Sequence, residues 1–202
     1  MASVTEPKKA TSPKDLILIL LYAKGHTGKL CEPVSGRTRL MKMVFLFEKE
    51  VMRKLRGGET ISSEALPDFT PYSFGPFSSE VFADLEFLVD LGFVRRFESE
   101  KGSEVLPEET YEYAYWQAGA DPITEEREGL RAEERFSLTE IGREFVEQGE
   151  AGELTPEQWV LIGEFKARCT KTPLRALLKY LYTKYPKWAT KSKIRDEVLS
   201  EY

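Results

Sequence analysis

Apolar positions recur at helical spacing along much of the chain, and polar caps mark where helices begin. Residues 79–91 carry such a stripe, whose members are Val81, Phe82, Leu85, Leu88 and Val89. Ser12 followed by Pro13 predicts the start of a helix that runs to about Lys24. The sequence TPEQ at 155–158 is a capping box and predicts another helix, to about Cys169.

A further helix is predicted over residues 37–55, and its centre is apolar on nearly every face. A helix with this pattern is either buried on all sides or part of an interface. Shorter helices are predicted at residues 140–148, after the Thr139 cap, and from Thr172-Pro173 to Pro186. Thr190 or Ser192 is expected to cap a last helix. The glycines and prolines of residues 25–36 and 57–77 predict loops.

Short strands are predicted in the middle of the chain. Residues 93–98 and 110–116 form a candidate hairpin around a turn at residues 101–102, and the sequence FSLT at 136–139 is a further strand. The order of these elements is typical of a winged helix-turn-helix, with residues 79–91 as its recognition-type helix. A generic α+β fold stays open, because FSLTEIG at 136–142 also fits an ordinary strand and helix.

We therefore predict a mostly helical α+β fold with a winged helix-turn-helix core, a small β wing and additional C-terminal helices. The predicted organisation is a flexible N-terminus (residues 1–11), a winged-helix-like domain (residues 12–150) and a basic C-terminal helical extension packed on it (residues 151–202). Its apolar runs, at residues 16–23 and 41–47, are far shorter than the roughly 20 residues of a membrane span. The polar first eleven residues do not resemble a secretory signal. We expect a cytoplasmic protein.

Charge divides the chain more sharply than its net value of −5 indicates. Acids dominate residues 98–153, whereas residues 165–195 contain no acid at all. A weaker basic cluster lies in residues 37–56. We predict that cations of these basic regions and of the wing contact nucleic-acid phosphates. The candidate residues are Arg37, Arg39, Lys42, Arg95, Arg96, Lys171, Arg175, Lys179, Lys184, Lys187, Lys191, Lys193 and Arg195.

The recognition-type helix raises an objection to base reading. Its expected exposed positions include Glu80, Asp84, Glu86 and Asp90, with no lysine or arginine, so it would repel phosphates. Aromatic residues interleave with the C-terminal bases, namely Tyr180, Tyr182, Tyr185 and Trp188. They either stack on exposed nucleotides or belong to the core, and their helical spacing beside a leucine stripe favours the core.

No catalytic, metal or nucleotide site is apparent. Cys31, Cys169 and His26 are too few and too far apart for a zinc site, and free thiols are expected. HTGK at 26–29 departs from a phosphate loop, because Ala23 stands at the earlier glycine and Leu30 follows the lysine. A nucleophile would have only His26 as a base. We predict that the protein is not an enzyme and uses no cofactor.

A family resemblance is carried by GRTRLMKMVFLFE at 36–48, PYSFGPFS at 71–78 and LLKYLYTKYPKW at 177–188. In these motifs the chain resembles the YwgA-like phage-associated proteins and, more distantly, the Panacea, or SocA-like antitoxin, domain. The resemblance implies a winged-helix-like fold with a regulatory or antitoxin-like binding role. No catalytic residue is carried over from it.

Two functions stay open. The first is a DNA-binding transcriptional regulator of a phage- or defence-associated locus, which would bind double-stranded DNA. The second is an antitoxin-like interaction module, in which the apolar helix of residues 37–55 and the acidic central region (with residues 118–134) dock a toxin or a second copy of the chain.

Overall fold

The computed structural model describes residues 9–55, 60–98, 134–149 and 151–200 of the chain. In these ranges its helices are α1 (Pro13–Tyr22), α2 (Arg37–Leu46), α3 (Ser79–Asp90), α4 (Glu140–Glu147), α5 (Pro156–Lys171), α6 (Leu174–Lys184) and α7 (Arg195–Leu199). Its strands are β1 (Val34–Ser35), β2 (Thr70–Tyr72), β3 (Gly75–Phe77), β4 (Val94–Glu98) and β5 (Glu134–Leu138). The protein therefore has the mostly helical α+β composition that its sequence predicts.

Local caps begin the helices where the sequence predicts them. At the start of α1 the Ser12 hydroxyl accepts from the Asp15 N–H, and Asp15 Oδ2 accepts from the Ser12 N–H at 2.9 Å. Thr155 and Gln158 form the same reciprocal pair at α5, and the Ser78 and Thr139 hydroxyls accept from backbone N–H groups at the starts of α3 and α4. The last helix is an exception, because Ile194 precedes α7 and makes no side-chain cap, so the predicted Thr190 or Ser192 cap is wrong.

Helix α2 is buried on every side, as its sequence pattern indicates. All of its residues are buried, polar side chains included, and it continues into a π-helical turn, Phe47–Val51. The Phe47 ring packs edge-on against Phe165 of α5 at 5.8 Å. Helix α2 is therefore enclosed by the rest of the fold and exposes no face to a partner.

A small antiparallel sheet joins the first and middle parts of the chain, in the order β1-β5-β4. Val34 of β1 and Arg96 of β4 both pair with Phe136 of β5. Strands β4 and β5 match the predicted strands, whereas β1 falls in a segment predicted as a loop. The predicted return strand of residues 110–116 and most of the acidic segment lie outside the described residues.

A second, two-stranded sheet is formed by β2 and β3, in a segment predicted as an irregular loop. Gly75 adopts a φ of +91°, and a Cβ there would lie 2.9 Å from the Tyr182 ring of α6. A glycine is therefore required where this hairpin meets the C-terminal helices.

One hydrophobic core includes residues from both predicted segments, 12–150 and 151–202. Trp159 of α5 packs against Tyr22 of α1, and Trp188 packs against Phe45 of α2, with both pairs of rings 5.0 Å apart. The predicted N-terminal boundary is wrong in part. Ala10 is fully buried, and its N–H and C=O bond to Thr60 and Ser62.

Candidate nucleic-acid interface

The C-terminal basic segment, residues 168–195, presents most of its cations to solvent. Leu174, Leu177, Leu178 and Leu181 turn inward on α6, and the two bases between them, Arg175 and Lys179, are half-buried. The exposed cations of the segment are Arg168, Lys171, Lys184, Lys187, Lys191, Lys193 and Arg195, and the half-buried ones are Arg175 and Lys179.

The structure brings acids onto this segment that are distant in sequence. Glu50, in the π-helical turn after α2, lies 2.9 Å from Lys184 Nζ and accepts from the hydroxyls of Tyr180 and Tyr185. Burial acts to raise the pKa of Glu50, but these hydrogen bonds, led by that of Lys184, lower it. Hydrogen bonds to Tyr180 and Glu50 raise the pKa of Lys184. The charge of Lys184 is therefore matched within the protein.

Arg175 is engaged in a similar way. Its guanidinium donates to the Glu197 backbone carbonyl at 2.6 Å and lies 3.4 Å from the Glu197 carboxylate. Both Glu50 and Glu197 lie outside the acid-free run of residues 165–195, so sequence reasoning missed them. Arg175 and Lys184 are weaker candidates for phosphate contacts than the exposed Lys187 and Lys191.

The aromatic residues of the segment belong mainly to the protein interior. Tyr182 is buried with its hydroxyl 2.9 Å from that of Ser192, and Trp188 lies half-buried on Phe45. Tyr185 is half-buried as well. Tyr180 is exposed, with its hydroxyl on Glu50. The core interpretation is thus confirmed for Tyr182, and Tyr185 and Trp188 pack partly buried against the core. Tyr180 is the exposed aromatic residue of the segment, with Lys184 Nζ 5.0 Å from its ring centroid.

The predicted phosphate contacts at Arg37, Arg39 and Lys42 are wrong, because all of these residues are buried in or beside α2. Arg39 Nη1 donates to the carbonyls of Cys169 and Thr172 at 2.6 Å, where α5 ends. Lys42 Nζ donates to the Pro76 carbonyl at 3.2 Å. Their charged groups bond to partners in the protein interior and are not accessible to a phosphate.

Arg37 is the centre of an ion-pair network between α3 and the sheet. Its Nε lies 2.7 Å from Glu134 of β5, its Nη1 bonds Glu86 of α3, and its guanidinium lies 5.1 Å from the Phe82 ring centroid. Burial acts to lower the pKa of Arg37, but the hydrogen bonds to Glu134 and Glu86 raise it. The arginine therefore stays charged and holds three elements together.

The candidate wing residues differ from each other. Arg96 lies 3.3 Å from Glu86 and 4.0 Å from Glu134, so it extends the Arg37 network. Arg95 is exposed on β4, with its guanidinium 5.1 Å from the Phe97 ring centroid. Arg95 is consequently the better placed of the two for an external phosphate.

Helix α3 is less acidic on its outer surface than its sequence suggests. Asp84 was expected to be exposed, but it is buried and lies 2.7 Å from Lys14 Nζ. Glu86 is matched by Arg37 and Arg96. The outward acids are Glu80 and Asp90, and they flank two exposed apolar side chains, Phe87 and Leu91.

His26 is held in its loop by Glu32. Its Nδ1 lies 2.5 Å from Glu32 Oε1, and the backbone N–H groups of His26 and Thr27 donate to the same carboxylate. The described residues contain no cluster of three or more His, Cys, Asp or Glu able to hold a metal. Among the helices of the described ranges, none is long and apolar enough to cross a membrane.

Comparison with known proteins leaves the family open: the chain matches no family model, no curated protein and no solved structure. The resemblance to the YwgA-like and Panacea families therefore stays a prediction.

Proposed function

We propose that this protein is a cytoplasmic winged-helix regulator that binds double-stranded DNA through its C-terminal basic segment. The observation that carries the proposal is the run of exposed cations at Lys171, Lys187, Lys191, Lys193 and Arg195 on an otherwise acidic chain. A concentration of cations on one part of a protein gains affinity for DNA by releasing counterions from its phosphates. The family resemblance would place such a regulator at a phage- or defence-associated locus.

The order of elements supports the winged-helix part of the proposal. A winged helix has two helices around a short first strand, a recognition-type helix, and two further strands that form the wing. Here α1, β1, α2, α3, β4 and β5 follow in that order, and the last strand lies between the other two. The β2-β3 hairpin between α2 and α3 replaces the short turn of a simple helix-turn-helix.

The exposed chemistry favours phosphate contacts over base reading. The outward residues of α3 include acids and apolar groups, and a helix in the major groove instead offers arginine, lysine, asparagine or glutamine to base edges. Stacking on single strands is supported only by Tyr180, because the other aromatic side chains of the segment are buried or half-buried. We therefore expect a preference for the duplex backbone, with little sequence discrimination by α3.

Titration of a labelled DNA duplex with the full chain at low and at physiological salt tests the proposal. Binding that weakens steeply as salt rises is the expected result, since each phosphate contact releases counterions. A labelled single strand serves as the comparison and should bind less tightly. Absence of duplex binding even at low salt would show the proposal to be wrong.

The rival function, an antitoxin-like interaction module, loses one of its predicted surfaces. The predicted helix of residues 37–55 was expected to dock a toxin or a second copy, yet every residue of its α2 part is buried, and its exposed residues are Arg53 and Lys54. Most of the acidic central region lies outside the described residues. A protein-docking role would then depend on the acidic central region or on another surface.

A further inference from the structure

One face of α3 is exposed and combines apolar and acidic side chains. Residues 80, 83, 87 and 91 follow each other at three- and four-residue spacing, so they share one side of the helix. Phe87 keeps 47% of its surface exposed and Leu91 keeps 51%. We call Glu80, Ala83, Phe87, Asp90 and Leu91 the α3 stripe.

The stripe is set apart from the side of α3 that packs inward. Val81, Leu85 and Leu88 are buried against the core, and α3 contacts mainly α1 and β4. Phe87 on α3 and Leu91 at its C-terminal cap are therefore exposed opposite a packed face, and neither is needed to fill the core. Exposed aromatic and leucine side chains on one helix face are typical of a surface that another protein covers.

The net charge presented by the stripe is negative. Lys14 lies 5.5 Å from the Phe87 ring centroid, but its charge is matched by Asp84 at 2.7 Å. Glu86, at the margin, is matched by Arg37 and Arg96. Glu80 and Asp90 are left to set the potential on either side of Phe87.

We propose that the α3 stripe docks a cationic amphipathic segment of a partner protein, with its apolar side chains on Phe87 and Leu91 and its bases beside Glu80 and Asp90. Charge complementarity selects this occupant. Nucleic acid would place phosphates against acids. A symmetric contact with a second copy would place Glu80 and Asp90 of each chain close to acids of the other. The proposal is independent of DNA binding, which uses the C-terminal basic segment.

Binding of a labelled amphipathic peptide composed only of leucine and lysine to the full chain tests the proposal. The wild-type protein should bind this probe, and the double variant Phe87→Ser/Leu91→Ser should weaken binding by about tenfold or more, because these side chains are the apolar anchors. The variant Glu80→Gln/Asp90→Gln should bind more weakly than the wild type and with a smaller dependence on salt. A peptide of leucine and glutamate is the charge-reversed comparison, and its binding should be the same in the wild type and in the Phe87/Leu91 variant.

Val160→Ser is the matched control, since Val160 on α5 is 61% exposed and lies outside the stripe. It should bind the lysine peptide as the wild type does, and the double variant should retain the wild-type circular dichroism spectrum. Equal binding by the wild type and the Phe87/Leu91 variant would overturn the proposal. A dimer in sedimentation that the same variant abolishes would also overturn it, because the occupant would then be a second copy. Duplex DNA affinity should be unchanged in the Phe87/Leu91 and Val160 variants, and unchanged or higher in the Glu80/Asp90 variant.

Discussion

A fully buried lysine makes the stability of the protein depend on pH. Lys166 Nζ donates to the carbonyls of Leu21 and Ala23, at 2.7 and 2.8 Å, where α1 ends. Burial lowers the pKa of Lys166 from 10.5 to about 7. Between these two values the unfolded chain holds a proton on this lysine that the folded protein does not hold, so the free energy of unfolding rises with pH in that window.

We predict that the wild-type free energy of unfolding gains up to about 1 kcal/mol per pH unit from this lysine between pH 7 and roughly 8.5. Urea denaturation at several pH values measures it. The Lys166→Met variant has no ionisable group at this position. Its free energy of unfolding should therefore rise less with pH than that of the wild type, whatever its absolute stability. Higher pH is avoided, because burial also raises the pKa of the Cys169 thiol, to about 12, which acts in the opposite direction above its ordinary value of 9.0. Parallel curves for the two proteins would contradict the account.

Gly142 is required by a close backbone approach. A Cβ at this position would lie 2.1 Å from the Phe93 carbonyl oxygen, next to the point where Thr139 caps α4. Gly142→Ala should lower the free energy of unfolding by about 1–3 kcal/mol, since backbone must move to admit the methyl group. Chemical denaturation measures the loss.

Gly163→Ala is the matched control for Gly142→Ala. In the interior of α5 its Cβ would meet nothing closer than 3.6 Å, so it should be neutral or gain up to about 1 kcal/mol from helix propensity. Equal stability of the two alanine variants would contradict the close approach of the Phe93 carbonyl to Gly142.

The buried cations are residues whose environment could not be predicted from the sequence around them. Arg37, Arg39 and Lys42 have the composition of a phosphate-binding cluster, yet they lie on a helix whose neighbours surround it completely. The apolar pattern of α2 predicts that the helix is buried, and the polar residues of the helix are buried with it. Their partners, such as Glu134 and the Thr172 carbonyl, come from distant parts of the chain, and spacing along the sequence does not reveal them.

At the scale of elements, helices were predictable because their signals are local. The caps at Ser12, Ser78, Thr139 and Thr155 each bond within three residues of their position. Strands β1, β2 and β3 contain only two or three residues each, and β2 and β3 include prolines, so their sequences carry little strand signal. Strand β1 pairs with the distant β5, and the β2-β3 hairpin packs on the turn at residues 186–189.

The exposed apolar pair on α3 was visible in the sequence in principle. Phe87 and Leu91 lie four residues apart and fall off the face formed by Val81, Leu85 and Leu88. The prediction for the outer face considered only its charged residues and so missed this apolar pair. Asp84 is buried because it lies on the inward face of α3, beside Leu85 and Leu88, where it pairs with Lys14 of α1.

At the scale of the whole molecule, the C-terminal helices share one core with the preceding residues. Trp159 and Trp188 rest on Tyr22 and Phe45, on helices near the other end of the chain. We predict a single cooperative unfolding transition, in which tryptophan fluorescence and far-ultraviolet circular dichroism coincide. A fluorescence transition at lower denaturant would mean that the C-terminal helices detach first.

The charge division of the chain is the property on which the proposed function depends. Replacing Lys187, Lys191 and Lys193 with glutamine removes exposed cations of the C-terminal basic segment, and replacing Lys9, Lys24 and Lys29, also exposed, makes the same charge change elsewhere. The two variants have equal net charge, so a difference between them in DNA binding reports on position.

The decisive measurement is the slope of log Kd against log salt concentration for a DNA duplex, in the wild type and in both variants. The C-terminal variant should bind more weakly, with a slope smaller by up to about 3, because each lost phosphate contact removes about 0.9. The Lys9, Lys24 and Lys29 variant should keep a slope close to that of the wild type. Equal slopes and affinities for the C-terminal variant and the wild type would contradict DNA binding through this segment.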